Sequence, residues 1–168
     1  TFIQDIDRID RHKTRSVSLI ASAKRDWEGH RLRHRVVDYI RAEHLDVDVM
    51  GRGYRAFADK ADGLAPYRYS VVIENQREPS YFTEKLIDAL LCDTVPIYWG
   101  APDIAEFFDT SGMIICDSEA DIQAALSRVS GHDYGLRAAA IAENRHRAIL
   151  YADLHGRAAQ ELRANLML

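Results

Sequence analysis

The sequence predicts an α/β fold in which helices cover both faces of a parallel sheet. Short runs that are apolar on both sides alternate along the chain with longer segments of helical periodicity. Hydrophobic residues make up 47% of the chain and charged residues 29%, the balance of a soluble protein with one core. The 168 residues are enough to bury that core without disulfides or metal. The predicted class is a doubly wound, Rossmann-like parallel sheet in a single domain.

The first half of the chain is predicted to run strand, helix, strand. Residues 16–22 form a short, apolar, β-branched run, which is typical of a buried strand. A helix follows, because Leu32, Val36 and Ile40 recur at helical spacing. Residues 47–49 predict a second short strand that ends in a glycine-rich turn.

The second half repeats the alternation after an irregular stretch. Residues 54–66 exceed most connections in length and are expected to be functional or to have packing of their own. Residues 69–73 predict a buried strand, and Thr83 is expected to open a strong helix. A strand at 95–99 comes next. The remaining predicted elements are a short helix at 104–107, a strand at 113–116, and helices at about 118–129, 133–150 and 155–167.

The charge balance and the cysteines exclude several classes of protein. With 26 acidic and 22 basic residues the net charge is −4, so no chain-wide positive field exists to bind nucleic acid. Cys92 and Cys116 lack metal-ligand or CxxC spacing and are predicted to be reduced core residues. No apolar run reaches membrane-spanning length, and the start at Thr1 is no signal peptide. We expect a cytoplasmic protein; a longer parent chain, with peripheral membrane attachment through segments outside this sequence, stays open.

Polar residues gather where two predicted strands end, which in a parallel sheet is the ligand-binding edge. One group follows the first strand and leads into a helix start, where backbone N–H groups and the helix dipole favour an anion. Its members are Ser22, Lys24, Arg25, His30, Arg31, Arg33, His34 and Arg35. A second group follows the third strand and consists of Glu74, Asn75, Gln76 and residues 81–85. Both groups are expected to converge on a diphosphate.

Each group also has a purely structural interpretation. A basic helix turn such as Arg31, Arg33 and Arg35 is typical of a solvated face, and Thr83 with Glu84 is typical of N-capping. Lys85 is different, because a cation in the first turn of a helix opposes the dipole. An anionic ligand would relieve that conflict.

Three consecutive motifs identify a family. Residues 67–75 (YRYSVVIEN), 81–89 (YFTEKLIDA) and 95–102 (VPIYWGAP) together resemble the donor-binding signature of the α1,3/4-fucosyltransferases, glycosyltransferase family 10. The strand ending at Ser22 and the helix with Arg33 resemble the preceding segments of that family, so the resemblance covers roughly residues 16–130. It implies one half of a GT-B glycosyltransferase: residues 1–168 would form a single donor-binding domain with C-terminal helices, and the N-terminal acceptor domain would lie outside this sequence.

The resemblance also implies a reaction and a set of residues. The family transfers fucose from GDP-fucose to an acceptor glycan hydroxyl with inversion. Arg33 and Lys85 match the cations that hold the diphosphate, and they are expected to act in catalysis together with Glu84, which is expected on ribose or fucose hydroxyls. Asn75 and Tyr81 match further nucleotide-sugar contacts, and Ser22 is a weaker match. The general base of the family lies in the acceptor domain, so this chain alone is expected to bind guanine nucleotide without transferring fucose.

We expect no metal or other cofactor. Asp46-Val47-Asp48 matches the metal-binding DxD string of other glycosyltransferases, but the alternation with Val49 favours an exposed strand face. His30 and His34 have the i, i+4 spacing of zinc ligands but lack a third ligand nearby.

Two other functions stay open at this point. One is a noncatalytic sugar-nucleotide-binding or interaction module, and the other is a transferase for a different nucleotide sugar. The amphipathic segment 155–167 is expected to pack against the missing domain, pack locally or support a homodimer.

Overall fold

The computed structural model of the chain describes residue 3 and residues 6–152. Within them, five parallel strands form one sheet in the order β2-β1-β3-β4-β5. The strands are β1 (Arg15–Ile20), β2 (Val47–Met50), β3 (Tyr67–Ile73), β4 (Val95–Trp99) and β5 (Ile114–Ile115). The predicted parallel α/β fold is confirmed, and only β5 is markedly shorter than predicted.

The helices flank the sheet. They are α1 (Glu28–Ala42), α2 (Glu84–Leu91), α3 (Glu119–Leu126), α4 (Gly131–Leu136) and α5 (Ala138–Ala152). The short helix expected at 104–107 is a 3-10 turn at Ile104–Glu106. The predicted segment 155–167 lies outside the described residues. Within the part of the chain that the structure describes, no helix is long and apolar enough to cross a membrane.

The single helix predicted over 133–150 is wrong, because the chain breaks at Arg137. The Arg137 side chain donates hydrogen bonds to the carbonyl oxygens of Ser111 and Met113, each at 2.8 Å, and to the carboxylate of Asp133. These tertiary bonds tie the junction between α4 and α5 to the turn before β5. The bonds to Ser111 and Met113 involve residues more than 20 positions away, so the local hydrophobic periodicity could not indicate them.

Each face of the sheet has its own apolar layer. Leu19, Val71 and Ile97 point to one side and pack with α1 and α3. Val72 and Tyr98 point to the other side and pack with α2 and α5. Because both faces of the sheet are buried, successive residues of each strand are apolar, which explains the continuous apolar runs in the sequence.

The two cysteines belong to these layers, as predicted. Cys92 and Cys116 are buried and unpaired, and burial raises the pKa of both thiols to about 12. They are packing residues whose thiols stay protonated at neutral pH.

The irregular segment 54–66 has packing of its own. It contains a 3-10 turn at Lys60–Gly63 and ends in the buried residues Leu64 and Ala65. The Thr94 hydroxyl donates a hydrogen bond to the Leu64 carbonyl oxygen at 2.8 Å. The segment therefore forms a fixed wall beside the carboxyl end of β1.

A close backbone approach joins the first turn of α1 to the end of β3. The Gly29 N–H donates to the Asn75 carbonyl oxygen at 2.9 Å, and a Cβ atom on Gly29 would lie 1.7 Å from the Glu74 carbonyl oxygen. Only glycine permits this distance. As a result, the start of α1 and the loop after β3 lie side by side at the carboxyl edge of the sheet.

Candidate functional site

A cleft of about 290 Å³ opens at the carboxyl ends of β1 and β3. Its walls come from both loop-to-helix junctions that the sequence singles out and from the segment 54–66. Four of the six predicted substrate-binding residues line it: Ser22, Arg33, Glu84 and Lys85. Asn75 joins the group because its Oδ1 accepts a hydrogen bond from Arg33, and the Asn75 side chain in turn lowers the pKa of the neighbouring Tyr81 hydroxyl against the effect of burial.

Arg33 is a buried cation on the inner face of α1. It is 6% exposed, and its Nη2 donates to Asn75 Oδ1 at 2.7 Å. Its Nε is buried and has no hydrogen-bond partner among the described residues. Burial lowers the pKa of the guanidinium group, and the nearby Glu74 and Glu84 carboxylates partly offset that effect. The site thus holds a positive charge with one unused donor.

The neighbouring arginines of α1 differ from Arg33. Arg31 is exposed and donates to the Asp26 carbonyl oxygen, and Arg35 is exposed and pairs with Glu119 at 2.6 Å. The solvated-face interpretation therefore holds for these two and is wrong for Arg33. Helical spacing gives the reason, since Arg33 lies four residues after the buried Gly29 and four before the buried Val37.

Lys85 lies in the first turn of α2 and folds back onto a buried carboxylate. Its Nζ is 3.3 Å from Glu74 Oε2, 3.0 Å from Thr83 Oγ1 and 3.7 Å from Glu84 Oε1. Glu74 is fully buried and also accepts hydrogen bonds from the backbone N–H and the hydroxyl of Thr83, at 2.9 and 2.7 Å. Glu74 therefore supplies negative charge that offsets the unfavourable position of Lys85 near the positive helix end.

Thr83 caps α2, as the N-capping interpretation expects. Its hydroxyl oxygen accepts a long hydrogen bond of 3.4 Å from the Lys85 backbone N–H. The same hydroxyl also contacts Glu74 and the Lys85 side chain, so the cap belongs to the polar cluster of the site. Capping and site formation are compatible roles for one residue.

Glu84 and Tyr81 take opposite protonation states. Burial alone would raise the pKa of Glu84, but the charges of Lys85 and Lys60 lower it overall, so its carboxylate stays ionised. Burial and the carboxylates of Glu74 and Glu84 raise the pKa of Tyr81, so its hydroxyl stays protonated. The pair therefore offers a hydroxyl donor and a carboxylate acceptor, groups suited to a ligand rich in hydroxyls.

Two further cleft residues, Lys60 and Asp88, were not predicted. Lys60 Nζ is 2.8 Å from Asp88 Oδ2, and Asp88 Oδ1 accepts a hydrogen bond from the Ile3 N–H at 2.8 Å. Burial raises the pKa of Asp88 although Lys60 lowers it. Two features of the sequence could have indicated these residues. Asp88 is a charged residue inside an otherwise apolar helix, and Lys60 lies in the unusually long segment 54–66.

The rejected metal motifs take ordinary structural roles. Asp46 is exposed and precedes β2 instead of lying in it, while Asp48 accepts hydrogen bonds from Tyr67 at 2.7 Å and Arg15 at 2.8 Å. The His34 ring is hydrogen-bonded to Tyr54 and to the Lys24 carbonyl oxygen, both at 3.0 Å. Across residue 3 and residues 6–152, no three His, Cys, Asp or Glu side chains are grouped to hold a metal ion.

The family model described as glycosyltransferase family 10 (fucosyltransferase), C-terminal part, matches residues 10–129. The chain belongs to glycosyltransferase family 10. The resemblance carried by the three motifs is thereby confirmed, and the match covers both junctions that form the cleft.

Relatives of this family 10 chain support the same assignment. It is 38% identical over 56 residues to alpha-(1,3)-fucosyltransferase FucT of Helicobacter pylori, a match of 33% of this chain and 12% of that protein. It is 35% identical over 98 residues to alpha-(1,3)-fucosyltransferase 4 of Mus musculus, which is 55% of this chain and 22% of the mouse protein.

Solved structures share the fold. Crystal structures of alpha1,3-fucosyltransferase with GDP-fucose and with GDP match with TM-scores of 0.62 and 0.61, both at 24% identity. Each match covers 83% of this chain and 41% of the crystallised chain. The family 10 chain thus spans less than half of the proteins that it matches.

Proposed function

We propose that this chain is the donor-binding part of a fucosyltransferase and that it binds GDP-fucose in the cleft. The observation that carries the proposal is that Arg33 and Lys85, which come from two separate loop-to-helix junctions, line the same cleft. Two cations beside two helix starts favour a ligand with several negative charges, such as a diphosphate. Family membership narrows the ligand to a nucleotide sugar that carries fucose.

Arg33 has a donor ready for a phosphate oxygen. A buried N–H without a partner is costly, so its Nε gains a hydrogen bond when an anion enters. Its Nη2 is already held by Asn75, which limits the number of orientations that the guanidinium group samples. The Arg33 side chain is therefore already partly ordered in the free protein, so binding of an anion costs less conformational entropy.

Lys85 reaches the same region from the other side. Glu74 and Thr83 hold its ammonium group without enclosing it, since 29% of the side chain is exposed. We assign the diphosphate to Arg33 and Lys85, and the hydroxyls of the ribose or fucose to Glu84. Ser22, Asn75 and Tyr81 are assigned to further contacts with the nucleotide sugar.

The same cations explain how transfer is accelerated. The bond from the acceptor oxygen to the anomeric carbon forms while the bond from that carbon to the diphosphate oxygen breaks, with inversion. Negative charge grows on the departing diphosphate, and fixed cations stabilise it more in the transition state than in the bound donor. The acceptor hydroxyl passes its proton to a general base. We place that base on the acceptor-binding part of the fucosyltransferase and expect residues 1–168 to act as the donor domain.

Calorimetric titration with GDP tests the proposal. We expect Lys85→Ala to weaken binding by about 1.5 to 3 kcal/mol, or about 10- to 150-fold, because a charge-assisted bond to phosphate is lost. Arg35→Ala is the charge-matched control, since Arg35 lies on the exposed face of α1, and it should leave the affinity unchanged. UDP should bind more weakly than GDP. Equal affinity of wild type and Lys85→Ala would contradict the assignment.

A further inference from the structure

The segment 75–82 between β3 and α2 carries two proposed donor-binding residues, Asn75 and Tyr81. Its ends are closed by Glu74, whose carboxylate accepts hydrogen bonds from the Thr83 backbone and hydroxyl. The side chain of Phe82 adds a packing contact, with its ring 5.0 Å from that of Phe107. These contacts fix where the segment begins and ends, but they leave the path of its middle to be set by other groups.

Asp103, which follows β4, holds the middle of the segment at Ser80. Its Oδ1 accepts a hydrogen bond from the Ser80 N–H at 2.7 Å, and its Oδ2 accepts one from the Ser80 hydroxyl at 2.9 Å. Ser80 has φ +59°, a left-handed conformation that residues other than glycine, asparagine and aspartate rarely adopt. This conformation is intrinsically unfavourable, and the two bonds to Asp103 stabilise it together with the bond that the Tyr81 N–H donates to the Glu78 carbonyl oxygen at 3.2 Å.

A second carboxylate fastens the same segment. Arg77 forms an ion pair with Asp117, which follows β5. The loops after β4 and β5 therefore both hold the loop after β3 at the carboxyl edge of the sheet. Of the two carboxylates, Asp103 acts nearer the site, since its partner Ser80 directly precedes Tyr81.

The connection from Asp103 to the cleft is short. A change in the backbone of Ser80 reorients the peptide that leads into Tyr81. The Asn75 side chain acts on the Tyr81 hydroxyl and lowers its pKa against the effect of burial, and Asn75 Oδ1 accepts the 2.7 Å bond from Arg33. We propose that Asp103 is a positioning residue of the donor site, which fixes Tyr81 and Asn75 through Ser80. This inference rests on the proposed function for its effect on nucleotide binding.

The chemistry of the contact supplies a conservative variant. In Asp103→Asn, the amide oxygen accepts from the Ser80 N–H and the amide nitrogen donates to the Ser80 hydroxyl oxygen, so both bonds persist without the charge. Asp103→Ala removes both. A matched control exists at Asp109, whose Oδ1 accepts from the N–H and the hydroxyl of Ser111 at 2.9 and 2.7 Å in a separate turn.

The first test is GDP titration of the 168-residue chain and its variants. We expect Asp103→Ala to weaken binding about fivefold, since exposed hydrogen bonds to a charged group make a modest contribution. Asp103→Asn should stay within about twofold of wild type and Asp109→Ala should be unchanged, with similar melting temperatures throughout. Wild-type affinity in Asp103→Ala, or equal losses in Asp103→Ala and Asp103→Asn, would overturn the proposal.

The second test needs no ligand. Amide hydrogen exchange at 75–82 should be faster in Asp103→Ala than in wild type, and Asp109→Ala should leave it unchanged. If the wild-type chain binds no GDP, the proposed function fails, but exchange still decides the positioning role. Unchanged protection of 75–82 in Asp103→Ala would overturn that role.

Discussion

At the scale of single residues, the site is built on charges buried where the sequence is otherwise apolar. Glu74 directly follows the mostly buried strand β3 and has no exposed surface, yet three hydrogen bonds satisfy its carboxylate. The sequence alone gives its position, but not its partners. Thr83 and Lys85 lie nine and eleven residues away, and only the folded loop brings them to it.

Replacement of Glu74 tests how far this carboxylate organises the site. Glu74→Ala leaves the Thr83 N–H and the Lys85 ammonium group without their buried partner. We expect a loss of about 3 kcal/mol in the free energy of unfolding. Glu74→Gln keeps an acceptor for Thr83 and should lose less. Urea denaturation of the two variants measures the difference, and equal stability of Glu74→Ala and wild type would contradict the role.

Lys13 gives a prediction about alkaline pH. Its Nζ donates to Ala65 O, Cys92 O and Thr94 Oγ1 at 2.8, 2.6 and 3.0 Å, and burial lowers its pKa to about 8. The unfolded chain, with a lysine pKa of 10.5, therefore binds more protons than the folded chain between these two values. This contribution of Lys13 makes stability rise with pH across that window.

Comparison with Lys13→Met removes the contributions of groups that do not interact with Lys13, since these groups titrate alike in both proteins. The unfolding free energy of wild type minus that of the variant should increase between about pH 8 and pH 10.5. Denaturant titrations at several pH values measure it. A difference that stays flat or falls with pH would show that burial does not control the charge of Lys13.

At the scale of elements, helix and strand positions follow from periodicity, whereas several boundaries do not. The strands at Tyr67–Ile73 and Val95–Trp99 are predicted because they are apolar on both faces, and the sheet buries both faces. The break at Arg137 was missed because it depends on bonds to Ser111 and Met113. The burial of Arg33 could have been predicted from its helical spacing to Gly29, which marks the packed face.

The contact between α1 and the loop after β3 predicts a strong effect of one methyl group. In Gly29→Ala the Cβ would meet the Glu74 carbonyl oxygen, so α1 must move away from the loop. We expect a loss of about 2 kcal/mol or more in stability, together with weakened GDP binding. Thermal unfolding and titration measure the two effects.

Gly135→Ala is the matched control for that substitution. A Cβ on Gly135 meets nothing within 4 Å, and the residue lies inside α4. This variant should gain up to about 1 kcal/mol, because alanine favours a helix over glycine. A loss in Gly135→Ala equal to that in Gly29→Ala would contradict the view that close packing makes Gly29 necessary.

At the scale of the whole molecule, the parallel topology brings residues distant in the sequence to one edge. β1 and β3 are neighbours in the sheet, so Arg33 and Asn75 meet although 42 residues separate them. The sequence motifs locate the two loop-to-helix junctions, after β1 and after β3. The order of the strands in the sheet places these junctions side by side, so their convergence on one cleft could be predicted once the fold class was known. The wall formed by Lys60 was not predictable, since the path of an irregular segment follows from packing, and neither was the ion pair that joins Lys60 to Asp88 of α2.

The most direct test of the central claim is an experimental structure of the chain with GDP bound. We predict that the diphosphate lies in the cleft with oxygens about 3 Å from the guanidinium group of Arg33 and from Nζ of Lys85. The ribose should lie on the Glu84 side. A diphosphate bound elsewhere, or one that contacts neither cation, would contradict the account.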